Sequence, residues 1–282
     1  MISRATKITI VGLGLLGGSY AKGLYNAGYN VTGIDIDPST IAFAKKMHWI
    51  VEGGPEPELV KDSDIVISAL YPRTFVEWIG TNQHLLKPGS ILTDVTGIKR
   101  EVMGRVNDML RPDVEYIACH PMAGREYKGI AYADCSQFEQ ANFIIVPTKK
   151  NTERGLETAR ELARILKFHR VSTLDAAEHD RIIGFVSQLC HVIALSLMNI
   201  SDNPKLCDYT GDSFRDLTRV ANINEDLWPE LFICNKDYLT AEVDALIAQM
   251  TRMRDLINAE DVPELKKLMI LATERRKRFG KR

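Results

Sequence analysis

A glycine-rich turn between two short apolar runs most constrains the fold of this 282-residue chain. The first run, Ile8 to Val11, leads into Gly12-Leu13-Gly14-Leu15-Leu16-Gly17, and a helical pattern follows from Ser19 to Asn26. A second apolar run, Val31 to Ile34, ends on Asp35. The order of strand, glycine turn, helix, strand and acidic residue predicts a β-α-β unit that binds a nucleotide.

Each glycine of this turn has a role beside a bound dinucleotide. Gly12 permits the tight turn, Gly14 lets the backbone approach a pyrophosphate, and Gly17 lets the helix pack closely on the sheet. The pyrophosphate would lie at the helix N-terminus, where N–H groups and the helix dipole favour an anion. Asp35 can accept hydrogen bonds from both ribose hydroxyls and would repel a 2′-phosphate, so NAD is favoured over NADP. FAD or an S-adenosyl ligand is the alternative occupant of this cleft.

The rest of the first half alternates apolar runs with helical patterns. Strands are predicted at Ile65 to Leu70, Ser90 to Thr93, Val114 to Ala118, Asn142 to Pro147 and Phe168 to Ser172. This alternation predicts an α/β fold with a doubly wound, mostly parallel Rossmann-type sheet. Ligands bind such sheets at the carboxyl ends of the strands. The loops expected to meet in one crevice there are those of Gly12, Ala69, Thr96 and His120, with Ala69 beside the cofactor.

From Asp175 onward, apolar residues recur only at helical spacing. We therefore expect a dinucleotide-binding domain of residues 1–174 and an all-helical C-terminal domain of residues 175–282, with about five helices, for substrate binding and dimerisation. The predicted helix from Asp237 to Asn258 carries more apolar surface than a small domain can easily bury. This predicts a homodimer formed through the helical domain.

Charge and cysteine content argue against several kinds of partner. A net charge of −1 gives no sign of a nucleic acid or an anionic membrane surface. The longest apolar stretch, around Ile193 to Met198, is too short to cross a bilayer. The five cysteines are odd in number, scattered and never in a C-x-x-C spacing, which predicts reduced thiols in the cytoplasm and no metal site.

His120 is the strongest candidate for catalysis. It is expected directly after a buried strand, on the carboxyl edge of the sheet, where an imidazole can act as a general base near neutral pH. The alternative is a histidine that only caps the strand end. His191 lies among apolar residues, so a core histidine is an equally good interpretation. It follows His179 by twelve residues, which displaces the two by a third of a helical turn.

Two arginines of the helical half are candidates for binding an anion. Arg215 and Arg219 are one helical turn apart, with Asp216 beside them. They form either a solvated ionic helix or a clamp for a carboxylate.

Five segments carry a more specific signal, in the same order along nearly the whole chain. They are the glycine turn, His120-Pro121-Met122-Ala123-Gly124 with Glu126 and Gly129, Glu178-His179-Asp180, Ser187-Gln188-Leu189-Cys190-His191, and Phe214-Arg215-Asp216-Leu217-Thr218-Arg219-Val220-Ala221 with Trp228. Together they resemble the prephenate/arogenate dehydrogenase family of tyrosine biosynthesis.

The resemblance implies a reaction and assigns roles. It implies NAD-dependent oxidative decarboxylation of prephenate, a small diacid, to 4-hydroxyphenylpyruvate. His120 would accept a hydrogen bond from the ring hydroxyl and take its proton. Arg219 would bind a substrate carboxylate, with Arg215 as the second choice, and His191 would line the substrate pocket.

Two positions depart from the family pattern. The family commonly has a serine, hydrogen-bonded to the catalytic histidine, where this chain has Gly97, and we expect Thr96 or a water to supply the missing hydroxyl. The family often has a histidine where this chain has Gln188. Three alternatives stay open: an arogenate dehydrogenase that forms tyrosine, a β-hydroxyacid or imine reductase with a lysine on the helical domain, and a non-catalytic nucleotide sensor.

Overall fold

The computed structural model describes residues 2–124 and 127–279. Its eight strands form one sheet in the order β3-β2-β1-β4-β5-β6-β7-β8, in which only the β6–β7 pair is antiparallel. The predicted doubly wound, mostly parallel sheet is confirmed. The strands are β1 (Ile8–Val11), β2 (Val31–Ile34), β3 (Glu52–Gly54), β4 (Ile65–Ser68), β5 (Ile91–Asp94), β6 (Glu115–Pro121), β7 (Asn142–Val146) and β8 (Arg170–Thr173).

Five helices accompany the sheet and six follow it within the described residues. The first group is α1 (Leu15–Asn26), α2 (Pro38–Lys46), α3 (Pro72–Asn82), α4 (Arg100–Met109) and α5 (Glu153–Ile165). The second is α6 (Ala176–Ile183), α7 (Leu189–Met198), α8 (Asp212–Thr218), α9 (Trp228–Cys234), α10 (Lys236–Asn258) and α11 (Val262–Lys277). Local signals set several of these starts, because Asp37, Thr152 and Asp175 each accept a backbone N–H of the helix they precede.

The two faces of the sheet bury separate apolar cores. One core is built with α1, α2 and α5, and contains Tyr20 and Leu162. The other is built with α3 and α4, and it also takes in Ile183 of α6 and Leu231 of α9. The helical half therefore packs on the α3–α4 side of the sheet, and side chains on that face of each strand point toward it.

Strand β6 is longer than the sequence predicted, and this changes the setting of His120. Its first part, through Ile117, pairs with β5, whereas Ala118 to Pro121 pair antiparallel with β7. The strand was predicted to end at Ala118 because the pairing with β7 has no local signal. His120 thus lies within a strand that projects past the end of β5, rather than in the loop after it.

The helical half begins with one long, apolar helix. The span Ala176–Met198 is apolar enough, by length and composition alone, to cross a bilayer, and 28% of its most apolar window is buried. The sequence estimate was too short because it considered only the stretch around Ile193 to Met198. The buried His179, Asp180 and Gln188 hydrogen-bond to neighbouring parts of the fold, which fits a helix packed within protein. Its exposed apolar side still requires a cover.

A buried ion pair organises the carboxyl edge of the sheet. The Lys99 ammonium lies 2.5 Å from Asp94 Oδ2, and both side chains are fully buried. Asp94 also accepts hydrogen bonds from the Tyr116 hydroxyl and the Cys119 N–H of β6. The pair therefore joins the end of β5, the start of α4 and the part of β6 that carries His120.

Lys99→Met should lower the free energy of unfolding by about 3–5 kcal/mol, because it leaves a buried carboxylate without its cation. Urea denaturation at fixed protein concentration measures the change. The matched control is Lys87→Met, which removes the partner of Asp64 in an exposed ion pair and should cost less than about 1 kcal/mol. Equal losses in the two variants would contradict the structural role of the Asp94–Lys99 pair.

Candidate active site

The glycine turn has the geometry that a bound pyrophosphate requires. Gly12 has a φ of +87°, and its N–H donates to the Ile34 carbonyl at 2.8 Å. A Cβ on Gly17 would lie 1.8 Å from the Gly12 carbonyl oxygen, whereas a Cβ on Gly14 would meet nothing within 4 Å. The first turn of α1 has no side-chain cap. Its N–H groups are thus available to an anion approaching over Gly14.

Asp35 and Ala69 border this turn. Asp35 accepts the Leu13 N–H through Oδ2 at 2.8 Å and the Asp37 N–H through Oδ1 at 2.9 Å. These bonds fix the carboxylate at the end of β2, and each oxygen keeps a lone pair for a ribose hydroxyl. Ala69 follows β4, and its carbonyl oxygen would lie 3.0 Å from a Cβ on Gly12. The predicted cofactor residues are therefore neighbours in space.

Long-range contacts connect His120 to the helical half. His120 Nδ1 lies 2.9 Å from His179 Nε2, and His179 Nδ1 lies 2.7 Å from Asp180 Oδ1. Asp180 also accepts the main-chain N–H groups of Lys99 at 2.8 Å and Arg100 at 2.9 Å. The candidate base is thus held from α6, while α6 is held to the start of α4.

The surroundings of this cluster favour neutral imidazoles beside an ionised carboxylate. Burial, with the neighbouring His179 and Lys99, lowers the pKa of His120 well below its ordinary value. Burial also lowers the pKa of His179, although the hydrogen bond to Asp180 opposes this effect. Burial alone would raise the pKa of Asp180, but hydrogen bonds from His179 and from the Arg100 and Lys99 N–H groups outweigh it and hold that pKa below its usual range. At neutral pH, His120 is therefore able to accept a proton.

Gly97 adjoins the other nitrogen of His120. A Cβ at position 97 would lie 3.7 Å from His120 Nε2 and 3.6 Å from Leu231 Cδ2. The Thr96 hydroxyl instead bonds to Asp94, to the Ile98 carbonyl at 3.0 Å and to Lys99 Nζ at 3.1 Å. Among the described residues it makes no bond to His120. The geometry does not support the prediction that Thr96 supplies the missing hydroxyl, since its own loop occupies it.

A π-helical turn between α6 and α7 changes the phase of His191. This turn, Gly184–Gln188, is closed by i→i+5 hydrogen bonds, so it inserts one extra residue into the helix. In a regular helix, twelve residues would rotate the direction of the His191 side chain by about 120° from that of His179. The extra residue of the π turn reduces this angle by about 100°. The two histidines therefore lie nearly on one face, contrary to the displacement inferred from regular spacing. The ring of His191 packs on Trp228 at a centroid distance of 3.6 Å.

Gln188 holds the π turn in place. Its Nε2 donates to the Leu231 carbonyl at 2.9 Å, and its Oε1 accepts from Asn235 Nδ2 at 2.8 Å. Asn235 Nδ2 also donates to the Asp180 carbonyl at 2.9 Å. The Gln188 amide thus joins the helix that carries His179 and His191 to α9. Leu231 of α9 lies beside Gly97.

The two predicted arginines occupy different settings. Arg215, in the last turn of α8, points back to Asp212 at 2.6 Å and to the Thr210 carbonyl at 2.8 Å, and its side chain is 59% exposed. Arg219 lies outside α8, on a short 3₁₀ turn that packs against α7. Arg219 keeps helical backbone angles at the end of α8, so the proposed clamp of the two guanidinium groups stays a prediction. Glu126, from the resembling segment, lies outside the described residues.

The segment that precedes α9 reaches the sheet domain from two sides. Asn224 Nδ2 donates to the Tyr71 hydroxyl at 2.7 Å. Lys128 Nζ lies 3.0 Å from Glu225 Oε1 and 2.9 Å from Asp226 Oδ2. These contacts join the segment before α9 to the residues that follow β4 and β6.

Sequence reasoning gave no functional role to three residues that surround His120. His179 and Asp180 stood in a recognised segment, and Lys99 followed Gly97, yet none was proposed as part of the site. Their position in recognised segments was the available signal. The contact of His179 with His120 spans 59 residues of sequence, so only the fold reveals it.

Comparisons with known proteins give two consecutive family matches along this chain. The family model described as the prephenate dehydrogenase nucleotide-binding domain matches residues 20–171, and the prephenate dehydrogenase dimerization domain matches residues 175–271. The prephenate dehydrogenase of Bacillus subtilis is 27% identical over 267 residues, which cover 92% of this chain and 72% of the relative. That of Lactococcus lactis subsp. cremoris is 30% identical over 250 residues, with 84% and 67% covered.

A solved structure is similar over the whole chain. The crystal structure of prephenate dehydrogenase from Aquifex aeolicus, in complex with hydroxyphenyl propionate and NAD+, superposes with a TM-score of 0.89. The two sequences are 26% identical, and the match covers 99% of each chain.

Gly14→Ala should weaken the binding of NAD at least about tenfold, because the new methyl group would project into the open space that the pyrophosphate requires. Isothermal titration with NAD measures the dissociation constant, and urea denaturation should show a change of less than about 1 kcal/mol. Gly104→Ala, in the open surroundings of α4, is the matched control and should leave NAD affinity unchanged. Unaltered NAD affinity in Gly14→Ala would place the pyrophosphate elsewhere.

Proposed function

The chain belongs to the prephenate dehydrogenase family, and we propose that it catalyses the NAD-dependent oxidative decarboxylation of prephenate to 4-hydroxyphenylpyruvate with His120 as the base. It is an oxidoreductase, and NAD is its cofactor. The observation that carries the residue assignment is the position of His120. Its Nδ1 is held by His179, while its Nε2 adjoins a position without a side chain, at the carboxyl edge of a dinucleotide-binding sheet.

The proposed chemistry needs one base and correct orientation. His120 Nε2 takes the proton of the C4 hydroxyl as hydride leaves C4 for the nicotinamide. Loss of the ring carboxylate as carbon dioxide returns its electron pair to the ring, which becomes aromatic, and the phenolate oxygen recovers the proton. Aromatisation and loss of carbon dioxide make the reaction effectively irreversible. The protein supplies position, a neutral imidazole and a cleft that limits water.

A substrate with two carboxylates requires a cation on the helical side of the cleft. Arg219 is our first choice, because its 3₁₀ turn packs against α7, the helix that carries His191. Arg215 is the second choice, since its side chain is 59% exposed at the surface of α8. His191, whose ring packs against Trp228, would form part of the wall between the arginine and the base.

The proposal divides the work between residues 1–174, which bind NAD, and residues 175–282, which complete the substrate cleft. Gly12, Leu13, Gly14, Leu15, Leu16 and Gly17 would surround the pyrophosphate, with Ala69 nearby. Asp35 would bind the ribose hydroxyls. An unchanged ratio of NAD to NADP affinity in Asp35→Ser would remove support for the ribose contact.

The exposed apolar side of the helical half supports a homodimer. Met250 is 62% exposed and Ile270 is 60% exposed, in a region that matches a dimerization domain. A second copy of this chain is therefore the proposed cover. A protomer mass in light scattering at micromolar concentration would contradict it. The five cysteines are all free thiols, which supports a cytoplasmic location.

The purified protein should form NADH from NAD and prephenate, and His120→Asn should lower kcat by about a hundredfold or more with little change in KM. Asparagine keeps a donor near Nδ1 but removes the basic Nε2, so the loss falls on the transition state. Absorbance of NADH in initial-rate assays measures both constants. A parallel assay with arogenate tells the two dehydrogenase activities apart.

Two outcomes would contradict this proposal. A normal kcat in His120→Asn would reject the base assignment. No NADH from either substrate with folded, NAD-binding protein would favour a nucleotide sensor. A lysine-dependent reductase is less well supported, because Lys99 at this edge is fully buried against Asp94 and comes from the sheet domain.

Arg219→Ala should raise KM for prephenate at least about tenfold and change kcat much less, because a carboxylate contact acts on substrate and transition state alike. Arg215→Ala is the matched control, one turn away, and should change KM less than about threefold. Initial-rate kinetics at saturating NAD give both values. If Arg215→Ala raises KM about tenfold and Arg219→Ala does not, Arg215 is the carboxylate-binding residue.

A further inference from the structure

The hydrogen-bond directions around His120 are set by the carboxylate of Asp180. Its two oxygens accept main-chain N–H groups of Lys99 and Arg100, which can only donate, and its pKa lies below the usual range. An ionised carboxylate can only accept. The contact of 2.7 Å between Oδ1 and His179 Nδ1 therefore requires the proton to be on Nδ1 of His179.

This requirement passes from one ring to the next. A neutral His179 with its proton on Nδ1 has a bare Nε2, which can only accept a hydrogen bond. His120 Nδ1, at 2.9 Å, must then be the donor. A neutral His120 with its proton on Nδ1 has its lone pair on Nε2. The carboxylate thus decides which nitrogen of His120 is basic, through one intervening ring.

On the Nε2 side of His120, no described side chain makes a hydrogen bond that would fix the tautomer of the ring. Position 97 has no side chain, and the atoms nearest to a Cβ there are the two methyl groups of Leu231 and Nε2 itself. The Thr96 hydroxyl is occupied within its own loop. In the part of the chain that the structure describes, no hydrogen bond is made to His120 Nε2. The orientation of His120 therefore depends on the Nδ1 side.

We propose that His179 and Asp180 are positioning residues that hold His120 as the Nδ1–H tautomer, so that Nε2 is the only basic nitrogen presented to the substrate hydroxyl. The inference rests on the proposed function and adds residues to it. Without His179, His120 is free to carry its proton on Nε2, where it would act as a donor and not as a base. No proton moves along the relay during turnover, because Nε2 takes the hydroxyl proton and returns it to the phenolate oxygen.

Two substitutions at position 179 separate the effect of the hydrogen bonds of His179 from the effect of its size. His179→Leu removes the acceptor for His120 Nδ1, and kcat should fall at least about 30-fold while KM for prephenate changes less than about twofold. His179→Gln provides an amide that can donate to Asp180 and accept from His120, and it should keep kcat within about fivefold of the wild-type value. His169→Leu, at an exposed position, is the matched control and should leave kcat unchanged.

The tautomer can be read without substrate. Long-range ¹H–¹⁵N correlation spectra of ¹⁵N-histidine-labelled protein with NAD, assigned with His120→Asn, show which ring nitrogen of His120 carries the proton. We expect the proton on Nδ1 in the wild-type protein and in His179→Gln, and a signal of Nε2 protonation in His179→Leu. Urea denaturation confirms that each variant is folded.

The spectra test the tautomer of His120, and the kinetics test the proposed function separately. A wild-type spectrum with the proton on Nε2 overturns the relay, whatever the protein does with prephenate. A folded His179→Leu variant with unchanged tautomer and kcat overturns it as well, and so does a folded His179→Gln variant as impaired as His179→Leu. If the wild-type protein does not oxidise prephenate, the proposed function fails, while the spectra still decide the tautomer.

Discussion

One carboxylate, that of Asp180, joins the two halves of this protein. It accepts the N–H groups that begin α4 and the Nδ1–H of His179, so the sheet domain, the helical half and the candidate base meet at a single buried group. A charge at this depth is stable only if its hydrogen-bond capacity is filled, and here main-chain donors fill most of it. The carboxylate therefore fixes the relative position of the elements that form the cleft.

The Asp94–Lys99 ion pair stabilises the backbone that binds Asp180. It sets the path of the chain between β5 and α4, and that path presents the Lys99 and Arg100 N–H groups to Asp180. Through the Cys119 N–H it also holds the part of β6 that projects past β5. The Lys99 ammonium further disfavours a second positive charge on His120, which keeps the imidazole neutral. The stability of this edge of the sheet and the protonation state of His120 thus depend on the same buried ion pair.

The chain departs from its family pattern without losing order at the site. At Gly97 the missing side chain leaves Nε2 without a protein partner, while the Nδ1 side is fully bonded through His179. At Gln188 an amide replaces an imidazole and bridges the Leu231 carbonyl and Asn235. An amide offers a donor and an acceptor in fixed directions, as a neutral imidazole does, so the π turn is held by a different residue with a similar bonding capacity.

The sequence by itself determined the parts of this protein that depend on neighbouring residues. The glycine turn, the strand runs and the helix starts at Asp37, Thr152 and Asp175 follow from local sterics and capping, and the family, the fold class and NAD followed from motifs in fixed order. The tertiary structure decided the rest. The extension of β6 depends on antiparallel pairing with β7, the alignment of His179 with His191 on a π turn, and the contact of His120 with His179 on packing across 59 residues. Such contacts arise from long-range packing, which no local pattern encodes, and the proposed tautomer of His120 depends on them.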